Sequence, residues 1–147
     1  VTSDLVAKLL NKALKLLSYR PRSVAEIRLR LKKLTPDNPK LIDQALAKLT
    51  EQDLVNDEEF ARWWVEQRKR FRPRGNQALK SELFKKGIDR QLIQAALLTL
   101  EEEKQLANKL IDKYGWREQM QIRNHLYRRG FSSETITAVI DGLNLKE

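Results

Sequence analysis

Cysteine is absent from all 147 positions, which excludes disulfides and thiolate metal sites and points to a reducing compartment such as the cytoplasm. Glycine and proline are scarce, at five and four residues, too few for the frequent turns of an all-β protein. The single histidine, His125, stands one residue before an expected core leucine, and no H-x-x-x-H pair or acidic ladder offers a metal its ligands. No apolar run approaches the ~20 residues of a membrane-spanning helix, and the first apolar stretch, Leu5 to Leu17, is interrupted by lysines where a signal peptide would be continuous. There is no G-x-x-x-x-G-K-[ST] loop to cradle phosphates, and no nucleophile with a base to activate it. These gaps argue for a non-enzymatic chain with no cofactor and no metal. The chain opens on Val1 rather than Met, as expected of a trimmed chain.

What is present favours helices. Charged residues make up 33% and hydrophobic residues 41%, enough apolar material to fold and dominated by helix formers. The net charge of +9 is unevenly spread: residues 1–52 carry 11 basic and 5 acidic groups, residues 53–100 carry 10 and 7, and residues 101–147 carry 8 and 8. A basic front with a neutral tail suits an anionic partner met by the first two thirds.

Leu5, Leu9, Leu10, Ala13, Leu16 and Leu17 keep a helical period up to Tyr19-Arg20-Pro21. Ser23 with Glu26 forms a capping box for a second helix whose inward face is Ile27, Leu31 and Leu34. Asn38, with Pro39 in the first turn, opens a third, burying Leu41, Ile42, Ala45, Leu46 and Leu49. The order then recurs. Asn56 and Glu59 cap a helix with Phe60, Trp64 and Phe71 on one face, and Leu79 and Leu83 lie inward on a short helix stopped by Gly87. Asp89 caps one carrying Leu92, Ile93, Ala96, Leu97 and Leu100, after which Thr99 with Glu102 predicts a bend. The last stretch has Leu106, Leu110 and Tyr114, then Ile122 and Leu126, then Gly130, with Ser132 capping a helix that buries Ile136, Val139, Ile140 and Leu143.

Shifting by 52 and then by 43 residues superimposes the second helices. Ile27, Leu79 and Ile122 share a column, as do Leu31, Leu83 and Leu126, with Thr35, Gly87 and Gly130 at the stop. The third helices follow with a one-residue slip. The expected fold is therefore all-α, an elongated array of three tandem three-helix repeats over residues 1–52, 53–100 and 101–147, each too small to bury its apolar faces without a neighbour. Three columns are wholly basic: Arg22/Arg74/Arg117, Arg28/Lys80/Arg123 and Lys33/Lys85/Arg128. They read either as a repeated binding surface or as a solvated face.

The densest charge is Arg68-Lys69-Arg70-Phe71-Arg72-Pro73-Arg74, five cations in seven residues. Helix-end capping accounts for some of them. The run exceeds what capping needs, and all five cations, with Lys86, are candidates for contact with phosphate or an acidic protein surface. Trp64 is expected in the core and Trp63 between units. A helix-turn-helix reader needs outward Arg, Lys, Asn or Gln on its recognition helix, and Ser132 to Leu143 has none. Basic groups concentrate on the second helices and the turns before them, which favours backbone or protein-surface contact over reading of base sequence.

Leu54-Val55-Asn56-Asp57-Glu58-Glu59-Phe60-Ala61, Arg74-Gly75, Glu82-Leu83 and Lys86-Gly87-Ile88 strongly resemble the RecX family of recombinase regulators, as do Leu17-Ser18-Tyr19-Arg20-Pro21-Arg22-Ser23 and Glu26-Ile27. Thr35-Pro36 departs from the family's usual glycine stop. The resemblance implies a monomeric protein that binds the RecA recombinase filament on DNA, lies along its groove, and restrains ATP hydrolysis, strand exchange and growth. Two other readings stand beside it: a sequence-independent binder of single- or double-stranded DNA through phosphate contacts, and a plain helical scaffold.

Overall fold

The computed structural model describes residues 2–144. Among the described residues the chain forms nine helices and no strand: α1 (Thr2–Tyr19), α2 (Val24–Leu34), α3 (Pro39–Glu51), α4 (Asp57–Arg70), α5 (Asn76–Lys85), α6 (Arg90–Ala96), α7 (Leu100–Tyr114), α8 (Gln119–Arg128) and α9 (Ser133–Asn144). They pack mainly in consecutive threes. α1, α2 and α3 touch one another, as do α4, α5 and α6, and α9 lies against both α7 and α8.

Local chemistry sets most of the boundaries. Capping boxes form at Ser23 with Glu26 and at Thr99 with Glu102, so each cap side chain takes up an N–H that has no partner within its helix. At Asn56 the cap accepts from the Glu59 N–H at 3.1 Å. The Thr99 box also settles the third helix of the middle unit. The sequence carries that helix on to Leu100, whereas α6 ends at Ala96 and Leu100 becomes the exposed first residue of α7. Leu98 turns inward instead, its N–H and C=O both bonded to the Asn76 side chain, at 2.9 and 2.8 Å.

The apolar columns fill two cores. Val6, Leu9, Ala13, Leu16, Ile27, Leu31 and the α3 residues form one, closed by Val55. Phe60, Leu79, Leu83, Ile93, Leu106, Leu110, Ile122, Leu126, Phe131 and the inward face of α9 form a second that runs through the last two units. Several expected core positions lie elsewhere. Leu5 is exposed and Val6 takes its place. Leu34 is exposed because nothing stacks on that end of α2. Phe71 falls one residue beyond α4, where the backbone is already extended, so the helical face no longer includes it. Tyr114 closes α7 at the surface, while Trp116, which the periodicity did not reveal, is buried. Trp64 is only half-buried, at the rim of the second core.

Neighbouring units join through their second helices, end to end. At the end of α8, the Arg129 and Gly130 carbonyls accept from the Gly75 and Gln77 N–H groups that begin α5, at 2.9 and 2.8 Å. The carbonyl and N–H groups that helix ends leave without partners thus satisfy one another. At the end of α5, the Lys86 carbonyl accepts from Ser23 Oγ at 2.7 Å, and the Val24 N–H beside it donates to Asp57 at 2.8 Å. α8, α5 and α2 therefore run head to tail with their dipoles aligned. The fit demands glycine. Gly130 (φ +84°) and Gly87 (φ +79°) are left-handed, and a Cβ on either would collide with Ala78 or Ala25. Thr35 occupies the equivalent place in α2 at φ −138°, so the first unit ends without the left-handed turn used by the other two.

Candidate partner-binding surface

Within the basic run the structure separates structural cations from outward ones. Arg68 Nε donates to Glu82 at 3.0 Å, and its guanidinium lies over the Trp64 ring at 5.1 Å. Trp64 Nε1 shares the same carboxylate at 2.9 Å. Lys69 bridges Glu102 at 3.1 Å and Glu66 at 3.6 Å. The Glu102 hydrogen bond, opposed by desolvation, raises the pKa of Lys69. Lys86 reaches back to Glu26 at 3.1 Å, across the joint to the first unit, and its ammonium also lies over the Trp64 ring at 5.2 Å. All three side chains are partly buried; Arg68 braces the middle unit internally, while Lys69 and Lys86 tie it to the third and the first. Of the rest of the run, Arg70 keeps only a loose 3.9 Å contact with Glu66, Arg72 is exposed with φ +53°, and half-buried Arg74 has no ion pair among the described residues.

Glu26 gathers Arg20, Lys86 and the Ser23 N–H around one carboxylate. Burial alone would raise its pKa; the hydrogen bonds from Arg20, Ser23 and Lys86 prevail and hold it at about 2. Asp57, facing the same joint, moves upward because burial outweighs the bond from the Val24 N–H.

The three basic columns divide the same way. Arg22 is partly buried with Nε donating to the Leu16 carbonyl at 3.4 Å, and Arg28 pairs with Asp43 at 2.6 Å in a half-exposed contact. Lys80, Arg123, Lys33, Lys85, Arg128 and Arg117 are exposed and carry no ion pair among the described residues. Within these columns the unpaired cations lie on α2, α5 and α8, the helices that run head to tail, and at Arg117 just before α8. Exposed cations without an ion pair among the described residues also stand on α1 (Lys8, Lys15), α3 (Lys40, Lys48), α6 (Arg90) and α7 (Lys109, Lys113).

The Glu101-Glu102-Glu103 cluster stands in the first turn of α7, where the helix dipole favours acidic side chains. Glu103 is buried, and its carboxylate accepts from the Asn76 N–H at 2.6 Å, from Ser132 Oγ at 2.7 Å and from Thr135 Oγ1. It fastens the start of α7 to the starts of α5 and α9. His125 is half-buried and stacks on Trp116, with ring centres 4.4 Å apart. No group of three or more His, Cys, Asp or Glu among the described residues is arranged to hold a metal. No described helix is long and apolar enough to cross a membrane.

Comparison with known proteins decides the family. Models of the first and second three-helix domains of RecX match residues 10–49 and 56–97. The chain belongs to the RecX family. A regulatory protein RecX from Serratia proteamaculans (strain 568) is 31% identical over 163 residues, covering 89% of this chain and 95% of the relative. One from Listeria welshimeri is 34% identical over 146 residues, covering 92% of this chain and 54% of the relative. One from Halalkalibacterium halodurans is 41% identical over 103 residues, covering 70% and 38%. The chain thus spans about half the length, or less, of these last two relatives. The crystal structure of RecX from Lactobacillus salivarius superimposes with a TM-score of 0.81 at 31% identity, covering 97% of this chain and 99% of that one. The all-helical architecture of tandem three-helix units is therefore a property of the family.

Proposed function

We propose that this chain is a non-enzymatic, cytoplasmic regulator that binds RecA recombinase filaments on DNA and mainly inhibits their ATP hydrolysis, strand exchange and growth during recombination and repair. Family membership supports the reading, and one observation carries it physically: α2, α5 and α8 are joined end to end and carry, in repeated register at Lys33, Lys85 and Arg128, exposed cations with no ion pair among the described residues. Three such helices in line match a filament, which repeats its own surface along an axis. In this reading units 1–52, 53–100 and 101–147 act as successive contacts of one monomer. The test is filament-dependent ATP hydrolysis titrated with the protein. The rate should fall to a plateau as protein is added; an unchanged rate at saturating protein would sink the idea.

The same exposed cations favour a second reading, sequence-independent binding of DNA through phosphates. It predicts affinity for naked DNA that falls steeply with salt and is equal across sequences.

A further inference from the structure

Phe84 and Tyr127 are 74% and 75% exposed, the highest values among the large hydrophobic side chains described. A single exposed aromatic is ordinary. These two stand 43 residues apart, in one column of the repeat, each immediately after a fully buried leucine, Leu83 or Leu126. Each also follows an exposed, unpaired cation by four residues, Lys80 before Phe84 and Arg123 before Tyr127, a spacing that puts ring and cation on one helix face. The same stacking that joins α8 to α5 relates one pair to the other. Tyr127 lies three residues before Gly130, and Phe84 lies six after Ala78, the residue that Gly130 touches. At 1.5 Å per residue the rings are about 14 Å apart along the line of the helices.

We propose that Tyr127 and Phe84, with Arg123 and Lys80, form a track for a single-stranded polynucleotide, whose bases stack on the two rings and whose phosphates meet the two cations. The proposal rests on the reading of the chain as a ligand of recombinase filaments on DNA, and names the part of that assembly this face takes. About 14 Å spans roughly four base steps of 3.4 Å, so one strand reaches both rings. An open groove of about 770 Å³ between α5 and α6 adjoins Phe84 and is lined by apolar Ile88 and Ile93 together with Gln77, Lys80, Asp89, Arg90 and Gln94. It gives a stacked base room and amide partners. A duplex hides the faces of its bases, so the rings select unpaired strands. Residues beside Phe84 on the same stretch of α5, Gln77, Lys80 and Ser81, are polar and exposed, which suits a phosphate-bearing strand running past the ring. In α2 the corresponding residues are Arg28, paired with Asp43, and Lys32, so that helix offers the track one free cation and no stacking ring.

The experiment is fluorescence anisotropy with a labelled oligothymidylate and with a blunt hairpin duplex, using the full chain and no recombinase. Phe84→Ala and Tyr127→Ala should each weaken oligothymidylate binding about fivefold or more, and together about thirtyfold or more, as loss of base–aromatic stacking requires. Phe84→Trp with Tyr127→Trp should restore it, and Tyr19→Ala, at an exposed aromatic of α1 outside the two ring–cation pairs, should leave it unchanged. Circular dichroism should show every variant folded. Equal binding of hairpin and oligothymidylate by the parent chain, parent-level binding by the double alanine variant, or an equal loss in Tyr19→Ala would each overturn the proposal. Loss of filament inhibition with strand binding intact would also overturn it, reassigning the rings to a protein contact. Because the strand assay contains no recombinase, its failure leaves the filament reading to be judged by ATP hydrolysis alone.

Discussion

Glu26 and Glu103 show how far a carboxylate's role depends on what the fold brings to it. Glu26 has a folded-state pKa of about 2 against an ordinary 4.5. A carboxylate with a depressed folded pKa stabilises the fold above its unfolded pKa and loses that contribution as pH falls through the folded value. Acid unfolding should therefore draw on Glu26 between about pH 4.5 and 2. Asp57 has the opposite sign, since its raised pKa makes protonation favour the folded state. Unfolding curves of Glu26→Gln and the parent chain should converge as pH falls across that window; a constant difference would contradict the assignment. Glu103→Ala leaves the Asn76 N–H and the Ser132 and Thr135 hydroxyls without their acceptor. It should lower stability by about 3 kcal/mol or more in urea unfolding, since each of the three unsatisfied groups costs roughly 1–3 kcal/mol. The Glu26 capping box was legible because both partners lie within one turn. Lys69 with Glu102, or Lys86 with Glu26, are 33 and 60 residues apart, and no local pattern announces which cations the fold will neutralise.

Helices were the most legible elements, because Ser23, Asn38, Asn56, Asp89 and Thr99 each cap where periodicity begins. The ends of α4 and α6 were not, since apolar spacing continues past the point where the backbone leaves the helix. The joints between helices were half legible: the glycine stop was visible, the alanine it meets was not. That contact makes a comparison of alanine substitutions informative. Gly115 is left-handed but has open space where a Cβ would stand, so Gly115→Ala should cost about 1–2 kcal/mol, the left-handed penalty alone. Gly87→Ala and Gly130→Ala add a collision with Ala25 and Ala78. They should cost more, about 2–4 kcal/mol, measured by thermal unfolding. Equal losses at all three positions would show that the joints do not depend on close approach.

For the whole molecule, the division between paired and unpaired cations predicts two classes of charge reversal. Lys85→Glu with Arg128→Glu changes exposed groups without ion pairs in the last turns of α5 and α8, so stability should fall by about 1–2 kcal/mol, the helix-end charge complementarity, while inhibition of filament ATP hydrolysis is lost. Arg68→Glu sets a carboxylate against Glu82 and strips the cation from Trp64. It should destabilise the fold by about 1–3 kcal/mol before any binding is considered. The repeat and its basic columns were visible in the sequence because they recur in register; the head-to-tail line of α8, α5 and α2 that gives them direction needed the fold. The most direct test is cross-linking to recombinase filaments assembled on single-stranded DNA, with photoreactive groups placed singly at Lys33, Lys85 and Arg128. Binding along a filament predicts cross-links to recombinase from all three units; cross-links from none of them at saturating protein would contradict it.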